Sequence, residues 1–132
     1  MGSAQPRTRS ALWWTATAVA AACLFAIALS DSVYEATSPP GPLQILLRKS
    51  YSIAAFTLVG ILLSKALAAP SPQVRWLFPA ASIAAYSLLI EAGQAAEGVR
   101  EGLLWNGIDV LCGFVGGYFG WLTATPRLRQ QR

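Results

Sequence analysis

Four stretches free or nearly free of charge, separated by short clusters of charged residues, organise this chain. The first, residues 11–30, has no charge over about twenty positions, enough to cross a hydrocarbon layer of roughly 30 Å at about 1.5 Å per residue. The second, about 50–69, stops at Pro70 and Pro72, and its one charge, Lys65, lies close enough to that end for its stem to reach the interface. The third spans about 76–95 and the fourth about 106–125, ending before Pro126. Each of these two meets an acid before twenty uncharged residues have passed. The pattern predicts an all-α fold: a polytopic membrane protein built as a four-helix transmembrane bundle, with residues 1–132 forming one domain.

Basic residues give the direction of the spans, because Lys and Arg are retained on the cytoplasmic side. Arg7, Arg9, Lys65, Arg75, Arg127, Arg129 and Arg132 fall on one side of the predicted spans, and Arg48, Lys49 and Arg100 on the other. Both termini are therefore expected in the cytoplasm, with the 31–49 and roughly 93–106 connections facing outward. A cleaved secretory signal over the first thirty or so residues is a competing reading, but the apolar stretch is longer than an ordinary signal core. Ser38–Pro42 (SPPGP) reads as a stiff, non-helical connector.

Composition strengthens the membrane reading and removes several chemistries. Of the residues, 55% are hydrophobic and 12% charged, with a mean hydropathy of +0.47. This excludes disorder and a disulfide-stapled secreted scaffold. The net charge of +4 belongs to residues flanking apolar segments, so no nucleic-acid partner is expected. With no histidine, Ser-His and Cys-His nucleophiles, HExxH zinc sites and imidazole bases are excluded. No metal or cofactor is expected. Cys23 and Cys112 both lie in apolar stretches and read as free, buried thiols.

The candidate chemistry lies in acids that fall too deep. A third span of about twenty residues from Trp76 places Glu91 and Gln94 in its last turn, and a fourth ending at Thr125 leaves Asp109 about one turn below the same surface. Lys49, at the outer mouth of the second span, comes to matching depth, and Arg100 lies in the loop between the two acid-bearing helices. An isolated charge in lipid costs several kcal/mol, so pairing is the cheapest arrangement. Lys49, Glu91, Gln94, Arg100 and Asp109 thus form a predicted polar pocket open outward. Each also has a plainer reading: Asn106 as a helix cap with Asp109 complementing the dipole, Glu91 ending its helix, and Lys49 and Arg100 meeting lipid phosphates.

Gly113, Gly116, Gly117 and Gly120 give the last helix two overlapping small-xxx-small patterns, a packing device also compatible with a homodimer. Pro79 reads as a kink whose freed backbone Ser82 and Ser87 would satisfy. Trp13, Trp14, Trp76, Trp105 and Trp121 read as interface anchors.

Taken together, IEAGQ at Ile90–Gln94, Arg100, and DVLCGFVGGYFG at Asp109–Gly120 resemble the C-terminal signature of the VanZ-like membrane proteins. Glu91, Gln94, Arg100, Asp109, Gly116 and Gly120 match that pattern, and KSYSIAAF at Lys49–Phe56 resembles the family's second-span motif. Two positions depart: Ser52 stands where the family has histidine, and Gly113 where it has asparagine. The interval from Arg100 to Asp109 is also longer than usual. The resemblance implies a multi-pass protein of the bacterial inner membrane, in a family named for a member associated with resistance to the glycopeptide teicoplanin.

These residues lead first to a protein whose outward pocket binds a lipid headgroup, a cell-envelope precursor or a glycopeptide-related ligand, with membrane lipids around it. A second reading is a membrane-embedded enzyme using Glu91 and Asp109 as an acid-base pair on a lipid-linked substrate, though no nucleophile is evident. A third is a small exporter. Exporters of this size carry their essential acid mid-membrane in the first helix, where this chain has no charge.

Overall fold

A computed structural model describes residues 5–37, 40–67, 76–98 and 103–124. These residues form five helices: α1 (Gln5–Ala28), α2 (Asp31–Thr37), α3 (Gln44–Ala66), α4 (Leu77–Ala96) and α5 (Leu103–Ala124). No strand occurs among the described residues. Among the described residues, three stretches are long and apolar enough to cross a membrane: Ser10–Ala28, Gln44–Ala66 and Leu104–Ala124. At 20 residues α4 has the length, but Glu91 and Gln94 near its end reduce its apolarity. The outer faces carry large exposed hydrophobic side chains, among them Leu58, Leu89, Leu111 and Phe119, as expected of a surface facing lipid.

Helix α5 is the centre of the assembly, packed against α3 on one side and α4 on the other, with α1 against α3. Glycines allow this. A Cβ on Gly116 would lie 2.5 Å from the Cβ of Phe56, and one on Gly120 would lie 2.5 Å from the backbone carbon of Gly60, both on α3. Those on Gly113 and Gly117 would lie 2.8 Å from the Cβ of Ser87 and 2.6 Å from the oxygen of Pro79, both on α4. Each four-residue pair thus serves a different neighbour, since residues four apart share a helix face. The stripe is filled within the chain, and a second copy reaches it only by displacing α3 or α4.

The same contacts give the helix directions. Lys49 with Asp109, Phe56 with Gly116 and Gly60 with Gly120 ascend together, so α3 and α5 run parallel. Pro79 meets Gly117 and Ser87 meets Gly113, so α4 runs antiparallel to α5. Tyr86 with Ala21 and Gln94 with Ala28 set α1 parallel to α4. A core of Phe56, Val59, Leu63, Ile83, Ile90 and Cys112 fills the interior, with Phe56 and Tyr86 edge to face at 6.3 Å.

Several expectations are corrected. Helix α3 begins at Gln44, not Ser50, on the turn whose Gln44 N–H donates to the Gly41 oxygen at 3.1 Å. Arg48 and Lys49 are therefore inside the helix. Helix α5 begins at Leu103, so Asn106 is a helical residue and not a cap. Pro79 is the third residue of α4, in a first turn whose N–H groups have no intrahelical acceptor, and so it kinks nothing. Ser87 bonds across to α5 instead of serving that turn. The short helix α2, with Asp31 in its first turn, precedes the Ser38–Pro42 connector, of which residues 40–42 are non-helical and 38–39 lie outside the described residues. Cys23 is exposed, while Cys112 is buried; both are free. Gly98, at φ +87, takes the left-handed conformation that ends α4.

Candidate functional site

Lys49 is the sixth residue of α3 and Asp109 the seventh of α5. Both lie roughly 8–9 Å from their helix starts at the usual helical rise. Because the two helices are parallel and in close contact, the side chains meet: Lys49 Nζ donates to Asp109 Oδ1 at 2.5 Å. The side chains are only 15% and 11% exposed, which makes this an interior ion pair. The Trp105 ring lies 5.6 Å from the same ammonium, a cation–π contact worth about 0.5–2 kcal/mol depending on solvation. Ser87, fully buried, donates to the Asp109 backbone oxygen at 2.8 Å and fixes α4 at this level of α5.

Around the pair opens a cleft of about 350 Å3, at the low end of the range for small-ligand pockets. Lys49, Glu91, Gln94 and Asp109 all line it. Arg100 lies outside the described residues. Leu24, Ile27 and Ala28 of α1 and Ala55 of α3 contribute an apolar wall. Gln94 is oriented by a bond from Nε2 to the Ala28 oxygen at 2.9 Å, and Tyr86 donates to the Ala21 oxygen at 2.5 Å. These two bonds tie α1, which carries no charge from Ser10 to Ala28, to the polar side of α4.

Sequence reasoning missed several lining residues. Arg48, Tyr51, Ser52 and Ser87 face the cleft, as do Val33 and Thr37 of α2. Val33 and Thr37 are four apart, and Thr37 Oγ1 donates to the Val33 oxygen at 2.7 Å. Asp31 followed by that pair was the available signal for a helix here. Ser52, one turn beyond Arg48, was legible only as a departure from the family motif.

The cleft balances its charge. Arg48 and Lys49 face Glu91 and Asp109, so the lining suits a neutral or zwitterionic polar group more than a bare ion. No group of three or more metal-ligating side chains occurs among the described residues. At the opposite end, Lys65 is seated over the Trp13 ring at 4.5 Å, which explains how the second apolar run accommodates its charge. Trp76 packs edge-on against Phe114 and Tyr118. No family model matches this chain, and no match was found among curated proteins or solved structures.

Proposed function

We propose that this protein is a VanZ-like inner-membrane protein whose cleft takes up the polar part of a lipid headgroup or cell-envelope precursor. In this reading α1, α3, α4 and α5 are four transmembrane spans, and both termini lie in the cytoplasm. The alternating helix directions support it, as does the excess of Lys and Arg on the side of the termini. The cleft then opens outward, and Lys49, Glu91, Gln94 and Asp109 orient the bound group beside an apolar wall fit for its hydrocarbon part.

The observation that carries the proposal is the interior Lys49–Asp109 pair bordering a cleft with Glu91 and Gln94. A pair needed only for stability is replaceable by apolar residues, whereas a pair that lines a cleft also presents donors and acceptors to an occupant. The acid-base reading is less favoured, because the Asp109 carboxylate is engaged by Lys49.

The reading extends to glycopeptide susceptibility through the resemblance alone. Cells expressing the wild-type chain should tolerate more teicoplanin than cells with an empty vector, and Glu91→Ala or Asp109→Ala should remove the difference while membrane levels stay equal. Unchanged tolerance in both variants would refute the pocket as the working part.

A further inference from the structure

On the other side of Arg48 and Lys49 lies a second, smaller cleft, of about 200 Å3, lined by Ile45, Arg48, Lys49 and Trp105. We infer that it holds the phosphate of an anionic membrane phospholipid. This rests on the membrane placement of α3 and α5, and not on what occupies the larger cleft.

Arg48 and Lys49 border both clefts. The two sides differ in sign. The larger cleft has Glu91 and Asp109 among its lining residues, while the smaller one has cations and no carboxylate among its described lining. An anion is therefore drawn to the smaller side. The Arg48 guanidinium has five N–H donors in a planar fork, enough to meet two phosphate oxygens while keeping a contact within the protein. An ammonium has three donors, and the bond to Asp109 uses one, so Lys49 retains donors for a second acceptor.

Trp105 identifies the phosphate as that of a lipid. Its amphipathic ring lines the cleft, and Trp is the side chain that settles between headgroups and hydrocarbon. Ile45 in the cleft, with Leu46 and Leu104 nearby in sequence, is 48% exposed, and those two leucines are 63% and 74% exposed. A phosphate held here therefore sits beside apolar side chains against which the acyl chains of the same lipid can lie.

The test is quenching of tryptophan fluorescence in nanodiscs of phosphatidylcholine doped with either brominated phosphatidylglycerol or brominated phosphatidylcholine at equal mole fraction. The Trp105 signal is obtained by subtracting that of Trp105→Phe. Trp105 should see brominated phosphatidylglycerol enriched about fivefold, the factor one basic side chain contributes at an anionic surface, and Arg48→Gln should abolish the preference. Added inorganic phosphate should leave it unchanged.

Equal quenching by the two lipids in the wild-type protein would overturn the inference, and so would a preference that survives in Arg48→Gln. Relief by inorganic phosphate would overturn the lipid assignment. If Arg48→Gln does not fold, the wild-type comparison still decides. Native mass spectrometry adds a second readout, in which one phosphatidylglycerol should stay bound where phosphatidylcholine does not.

Discussion

The Lys49–Asp109 pair makes a quantitative prediction through a double-mutant cycle with Lys49→Met and Asp109→Leu. Removing one partner of an interior ion pair costs about 3–5 kcal/mol, because the other is left buried without compensation. The two single variants should not be equal. In Asp109→Leu the remaining ammonium still has the Trp105 face, and its four-carbon stem lets it extend toward the helix start roughly 8 Å away. That variant should lose about 3 kcal/mol, the lower end of the range. In Lys49→Met the short Asp109 side chain, 11% exposed, has no comparable reach, and the cost should lie nearer 5 kcal/mol.

The double variant places two apolar side chains of similar volume in the same space. Such replacements are commonly neutral or stabilising, so it should unfold close to the wild type, giving a coupling of several kcal/mol. Reversible unfolding in mixed micelles with rising dodecyl sulfate, followed by circular dichroism, measures all four proteins. Costs that simply add, with a coupling below about 0.5 kcal/mol, would show that the two charges do not share an interior environment. The double variant also separates fold from function: it should insert and unfold normally yet confer no teicoplanin tolerance.

Other expectations test the remaining parts. Gly120→Ala places a methyl 2.5 Å from the Gly60 backbone and should cost about 1–3 kcal/mol, whereas Gly107→Ala, with nothing within 4 Å, should be neutral or slightly stabilising in the same assay. Tyr86→Phe removes the bond to Ala21 and should cost about 0.6 kcal/mol, with an upper bound near 1.7. In detergent a small maleimide should modify Cys23 quickly and Cys112 only on unfolding; equal rates would contradict their different burial. With both native cysteines replaced, Ser32→Cys should react with a membrane-impermeant maleimide added outside intact cells, and reaction only after lysis would reverse the proposed orientation.

How much of this was readable in advance depends on whether the cause of each feature lay nearby in the chain. The apolar runs of α1, α3 and α5 are local, and composition alone marks them as helices able to span a membrane. The start of α3 was displaced because Arg48 and Lys49 look like the edge of a span. They are inside a helix because the partner of Lys49 is Asp109, sixty residues away. Tyr86 and Gln94 bond to alanine carbonyls in α1, and nothing in an uncharged run marks which carbonyl will accept. The glycine stripe was visible as packing, but its division between α3 and α4 was not.

One relation joins the packing to the polar residues. On α5, Asp109, Gly116 and Gly120 are spaced by seven and four; on α3, their partners Lys49, Phe56 and Gly60 are spaced identically. Seven residues return a helix to within about 20° of the same face, so the three contacts lie along one seam between parallel helices. The glycines fix both the separation and the register of that seam, and the ion pair occupies its position two turns further on. A bulky residue at Gly116 or Gly120 should therefore do more than loosen the helices. It should pull Asp109 away from Lys49 and disturb the cleft from a position outside its lining, so Gly120→Ala should weaken the Lys49–Asp109 coupling when the cycle is repeated in that background.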